Sequence, residues 1–153
     1  MDTTIRFARD EDQEQLKDLL VSFEMDLAGP IEEHIVALHG DLIIAGGMLS
    51  RLDRDLFHLE VFAVTDRWQR TGAGRLLLSE MLKSPWLYCC DSAPRETYAI
   101  TTVARGDAVP FYMGCGFEPM SFAELAPPHD QQCDQCPKQE ECQPVPMIYQ
   151  RGV

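Results

Sequence analysis

Apolar and polar side chains alternate from Thr4 to Ala8, which predicts a short half-buried strand. The spacing then turns helical: Leu16, Leu19, Leu20 and Phe23 share one face, and Asp10 ahead of them can cap the first turn. Ala28-Gly29-Pro30 breaks the chain. Beyond it the apolar runs Ile35–Leu38, Leu42–Leu52 and Leu56–Val64 are separated only by His39-Gly40-Asp41 and Asp53-Arg54-Asp55. Three strands in a tight antiparallel meander are therefore expected. From Gly74 a second helical face, built by Leu76, Leu77, Leu78, Met81 and Leu82, runs until Pro85 stops it. A buried strand is predicted over Tyr98–Val103, then a short helix over Val109–Cys115 closed by Gly116. Val145–Arg151 alternates once more and supplies the last strand. This order describes an α/β or α+β protein, with a mixed, mostly antiparallel central sheet flanked by helices.

A chain of 153 residues with 45% hydrophobic and 25% charged side chains has material for one domain, 1–153, with a real core. Only 127–144 departs from that composition: five of the ten prolines and three of the six cysteines follow residue 126, which marks a Cys/Pro-rich insert before the last strand. The net charge of -12 is unevenly spread. Residues 1–66 hold 15 acids and 5 bases, whereas 67–126 hold 6 of each. Such a surface repels nucleic acid and anionic lipid and favours a cationic, amine-bearing partner. Met1-Asp2-Thr3-Thr4 has no basic segment followed by an apolar one, and no apolar run is long enough to span a bilayer. A cytoplasmic protein is expected, a monomer or homodimer, its cysteines read first as thiols or metal ligands.

The stretch richest in chemistry follows Phe62-Ala63-Val64, where the strand passes into Gln69-Arg70-Thr71-Gly72-Ala73-Gly74-Arg75 at the start of a helix. Glycines there let backbone N–H groups converge on an anion, the helix end favours negative charge, and Arg70 and Arg75 add cationic donors. Neither the ending of a P-loop nor the spacing of a dinucleotide fingerprint is present.

Gln69-x-x-Gly72-x-Gly74 resembles the cofactor motif of the GNAT family of N-acetyltransferases. Downstream, Ala108-Val109-Pro110-Phe111-Tyr112-Met113-Gly114-Cys115-Gly116-Phe117 resembles that family's later segment, Ala, two residues, Phe-Tyr, three residues, Gly-Phe. The resemblance covers about 3–122 and 145–151. Arg105 departs from it, standing where the family often has an Asn on the cofactor.

The resemblance implies the GNAT fold, acetyl-coenzyme A as cosubstrate and a primary amine as acceptor. Amides of Gln69, Arg70, Thr71, Gly72, Ala73, Gly74 and Arg75 would hold the pyrophosphate, and those of Phe62, Ala63 and Val64 would pair with the pantetheine arm. One of the latter could also donate to the oxyanion on the thioester. An alkyl ammonium, with a pKa of about 10.4, must lose a proton before it attacks. Glu60 and His58 occupy the family's base positions, and Glu60 is favoured as an anion able to hold an ammonium. Tyr112 occupies the general-acid position and would return a proton to the leaving thiolate.

The resemblance does not account for the insert. Cys133 and Cys136 form a compact bite, and Cys142 with His129 would complete four ligands for a structural zinc. Reduced thiols, a disulfide or redox switch, and an iron-sulfur cluster fit the same residues. Cys89, Cys90 and Cys115 are read as loop or buried thiols. The alternative to an enzyme is a sensor that binds acyl-coenzyme A without turnover, or an interaction module built on the insert.

Overall fold

The computed structural model describes residues 3–89, 93–131 and 139–152. Seven strands form one sheet in the order β1-β2-β3-β4-β5-β7-β6, the mixed α/β class expected. They are β1 (Thr3–Phe7), β2 (Ile35–His39), β3 (Leu42–Asp53), β4 (Leu56–Val64), β5 (Tyr98–Ala104), β6 (Glu118–Pro119) and β7 (Val145–Arg151). The helices are α1 (Gln13–Val21), α2 (Ala73–Lys83), α3 (Val109–Gly114) and the single turn α4 (Gln139–Cys142). Among the described residues, no helix is long and apolar enough to cross a membrane.

The chain divides into two compact units, Met1–Ser50 with Leu59–Pro94 and Arg51–His58 with Arg95–Val153. In the first, β1 pairs antiparallel with β2, Thr3 opposite His39 and Phe7 opposite Ile35. β2 pairs antiparallel with β3, with a register shift between Ala37 and Leu38. Leu16, Leu19 and Leu20 of α1 pack on Val36, Leu38, Ile43 and Ala63, the burial that the helical spacing of those leucines predicts. Gly46 and Gly47 let neighbours approach β3 closely. A Cβ on Gly46 would lie 2.5 Å from Leu16 Cδ1, and one on Gly47 only 2.7 Å from the Val61 carbonyl oxygen.

Two expectations at α1 are corrected. Asp10 does not cap it: residues 10–12 form a 3-10 turn, and Asp12 Oδ2 accepts the Arg9 N–H at 2.8 Å and Arg6 Nη1 at 2.7 Å. The Arg6 guanidinium holds the Asp12 carboxyl below the usual carboxylate range. Phe23 lies past the end of α1, where the Phe23 N–H donates to Leu20 O in a turn, yet its ring still packs on the α1 core. The helix stops short because Ser22 and Glu24 turn the chain, Glu24 at φ 64.

In the second unit β5 pairs antiparallel with β7 along its whole length, Tyr98 opposite Arg151 and Ala104 opposite Val145. The two-residue β6 adds to β7 with Glu118 opposite Ile148, a strand too short to show in the sequence pattern. Arg95 lies over the Phe57 ring at 5.4 Å and donates from Nε to Arg54 O. Gly116 takes φ +100 after α3, the left-handed turn expected of it, with Tyr149 against its face.

Candidate active site

Strand β4 ends where Thr65 N–H pairs with Ile44 O at 2.9 Å, and a 3-10 turn, Asp66–Trp68, leads into the glycine segment. Two left-handed residues shape it, Arg70 at φ 64 and Gly72 at φ 93. Glycine pattern alone signals the second; the first was not legible, since a non-glycine residue there costs about 1 kcal/mol and has no sequence mark. Gly72 is the N-cap of α2, and a Cβ there would meet nothing within 4 Å. The space above it is open. The first helical bond of α2 is Leu76 N–H to Gly72 O, so the amides of Gly74 and Arg75 ahead of it have no helical acceptor. The Ala73 amide reaches Thr71 Oγ1 at 3.4 Å. These orphan donors, the helix dipole and the exposed Arg70 and Arg75 fit a pyrophosphate.

Neighbouring side chains brace the segment. Gln69 Nε2 donates back to Val64 O at 3.1 Å and toward Asp66 Oδ1 at 3.4 Å, so its side chain ties the loop to the strand end. Thr71 Oγ1 donates to Trp68 O, and the Trp68 ring meets His39 with centroids 4.9 Å apart. Thr65 Oγ1 is buried without a hydrogen-bond partner, an orphaned polar atom at the junction of strand and loop. Phe62 and Ala63 are buried and Val64 is half-buried. Arg105 precedes a 3-10 turn and its Nε lies 3.8 Å from Asp107 Oδ1.

In the other unit Tyr112 is 6% exposed, held edge-on by Phe111 and Phe117, each with centroids 5.4 Å away. Burial, with a smaller contribution from the Cys115 thiol, pushes its phenol above the ordinary range, so it stays protonated at neutral pH. His58 is 1% exposed, and its Nδ1 lies 2.8 Å from Thr101 Oγ1. The Thr101 hydroxyl is also 3.5 Å from Phe57 O. If it donates there it accepts from His58 Nδ1–H, which leaves the lone pair on Nε2. Burial first, and His129 second, lower His58 to about 3, so the ring is neutral at physiological pH. Glu60, two residues further along β4, is half-buried.

The structure brings one unforeseen group to this position. The His129 ring stacks on His58, centroids 3.8 Å apart and planes 16° from parallel. His129 was expected as a fourth zinc ligand with Cys133, Cys136 and Cys142. Cys133 and Cys136 lie outside the described residues, and Cys142 is a half-buried thiol. Its position ahead of the cysteines suits a metal-ligand spacing, and nothing in the sequence ties it to β4. Cys89 and Cys115 are half-buried thiols, as expected, and Cys90 lies outside the described residues.

Residues 7–124 match the family described as an acetyltransferase (GNAT) domain, which is most of the chain. No curated protein matches the sequence. Among solved structures, N-acetylglutamate synthase from Neisseria gonorrhoeae, complexed with coenzyme A and N-acetyl-glutamate, superposes with a TM-score of 0.76 at 15% identity. That match covers 99% of this chain and 35% of that one, so this chain spans about a third of that enzyme. Ard1 from Thermoplasma volcanium gives 0.69 at 15% identity, covering 99% of both chains. The ribosomal-protein-S18-alanine N-acetyltransferase from Escherichia coli gives 0.67 at 13%, covering 99% of this chain and 96% of that one. At such identities the likeness is one of fold; with the match over 7–124, the chain belongs to the GNAT family of acetyltransferases.

Proposed function

We propose that this protein transfers the acetyl group of acetyl-coenzyme A to a primary amine by direct attack. The observation that carries it is the segment 69–75: orphan amides at the head of α2, open space over Gly72 and two exposed arginines, directly after the strand end 62–64. Backbone donors suit a pyrophosphate because they do not titrate. Gln69 braces the loop, its own amide donates to Thr65 O and that of Thr71 to Trp68 O, which leaves recognition to the amides of Gly74 and Arg75 and to the side chains of Arg70 and Arg75. Amides of Phe62, Ala63 and Val64 pair with the pantetheine arm and one donates to the developing oxyanion.

Glu60 holds the incoming ammonium. His58 is neutral and hydrogen-bonded to Thr101; burial makes its charged form costly, so it can orient or pass a proton but is a poor place to keep one. Tyr112 protonates the leaving thiolate, and its burial keeps the phenol charged with its proton until then. The acceptor is cationic, in keeping with the acidity of residues 1–66. Solved relatives act on, or are seen with, an amino-acid derivative and a ribosomal protein, a range that leaves the acceptor class of this chain to experiment.

Calorimetric titration with coenzyme A, followed by release of free thiol from acetyl-coenzyme A over a panel of amines, tests this. Micromolar binding and amine-dependent thiol release are expected. Binding without release from any amine would leave a sensor, and no binding would remove the proposal.

A further inference from the structure

Three side chains with metal-binding atoms meet on β4, one of them from a loop about 70 residues further along the chain. We propose that His58, Glu60 and His129 form a site for a divalent cation of the zinc class, with three protein ligands and a fourth position left open. The inference goes beyond the acetyltransferase reading and does not depend on it.

His58 and Glu60 stand two residues apart on β4, so their side chains leave the same face of the strand. His129 opens the 3-10 turn His129–Gln131 and lays its ring on that of His58, centroids 3.8 Å apart. One ligand atom from each of the three, two imidazole nitrogens and a carboxylate oxygen, thereby lies within 4.8 Å of the other two. Around a tetrahedral ion with bonds of about 2.0–2.2 Å, ligand atoms stand roughly 3.4 Å apart, so the group has to close by no more than about 1.5 Å. Glu60 and His129 supply that movement, since both are half-buried whereas His58 is sealed in the fold. The His129 ring tilts off the stack as it does so, because parallel rings point their in-plane lone pairs past each other. Both residues exchange the partners they have without the ion for the ion itself.

The surroundings of His58 suit a ligand. Its Nδ1 lies 2.8 Å from Thr101 Oγ1, and that hydroxyl lies 3.5 Å from Phe57 O. With the hydroxyl donating to the carbonyl, Nδ1 carries the hydrogen and Nε2 the lone pair. A fixed partner on the far nitrogen is what sets the tautomer and ring plane of metal-bound histidines. Thr101 is itself buried, so this support is rigid. The donor set then selects the ion. Imidazole with carboxylate suits zinc and its first-row neighbours, whereas magnesium and calcium take oxygen ligands. Two neutral imidazoles and one carboxylate offset one of the ion's two charges, which leaves the fourth position to water or an anionic donor. Zinc sites that act on a ligand keep such an open position; sites that only brace a fold close it.

The test is calorimetric titration of the untagged, chelator-treated full chain with zinc chloride, repeated with cobalt(II) chloride and followed by absorption. One equivalent bound with micromolar affinity or tighter is expected, the cobalt spectrum showing nitrogen and oxygen ligation and no thiolate charge-transfer band. His129→Ala and Glu60→Gln should each weaken zinc binding at least about 10-fold, with the fold confirmed by circular dichroism. A chain carrying Cys133→Ser, Cys136→Ser and Cys142→Ser together should bind zinc as the wild type does. No binding by the wild type would overturn the inference, as would an affinity unchanged by either single substitution. Binding lost with the three cysteines would place the ion in the insert and overturn it equally. Failure of the acetyltransferase reading is seen separately, as an absence of amine-dependent thiol release, and leaves these outcomes unaffected.

Discussion

Tyr112 shows how one side chain can be read from sequence while its chemistry is set by its surroundings. The Phe-Tyr pair marks its position, but the aromatic box of Phe111 and Phe117 and its own burial are what keep the phenol protonated. Tyr112→Phe should lower kcat about 100-fold with little change in coenzyme A affinity, checked by steady-state kinetics and calorimetry. Two buried histidines make a second prediction. His34 accepts the Ala28 N–H on Nε2 at 3.0 Å and has Nδ1 3.0 Å from Pro30 O, a neutral tautomer in a fully buried site. Burial lowers His34, and lowers His58 to about 3. Their folded values lie below the unfolded value of about 6.5, so the unfolded chain binds more protons as pH falls. The stability they contribute is complete above that value. It is lost below it, at up to about 1.4 kcal/mol per pH unit for each ring, until the folded value is reached. Urea melts from pH 7 to 4 should show this slope, and His34→Gln should flatten it. Asp12 and not Asp10 secures the start of α1 because position 12 reaches both Arg6 and the Arg9 amide, a three-way contact that no local propensity encodes.

Among the elements, the junction of β4 and α2 was the most legible, since a helix head that binds an anion needs glycine where the backbone turns left-handed. Gly72→Ala meets open space but must hold φ +93. It should cost about 1–2 kcal/mol in thermal stability and weaken coenzyme A binding, while leaving the rest of α2 intact by circular dichroism. Less legible was the tightness of β3. The alternation marks a strand there, yet the need for glycine at position 47 comes from the Val61 carbonyl on the neighbouring strand. Gly47→Ala should destabilise the protein by about 1–3 kcal/mol, read from the urea midpoint. β6 escaped notice because two residues carry no period, and residues 127–131, which read as loop, carry the ring that meets His58.

At the scale of the molecule, the acidity has a use beyond solubility if the acceptor is a cation. Raising salt from low to physiological strength, where the screening length shrinks to about 8 Å, should lower kcat/KM for a polyamine more than for a neutral amine, with acetyl-coenzyme A parameters little changed. Sequence by itself determined the longer elements and the family, because periodic burial and glycine-dependent backbone are local properties that each residue expresses in place. It also determined where an anion could be held and which tyrosine to suspect. Tertiary structure alone decided the state of the histidines and the company they keep. Protonation depends on desolvation and on neighbours brought together from distant parts of the chain. His58, His34 and His129 look alike as letters; burial, a threonine and a stacked ring set them apart.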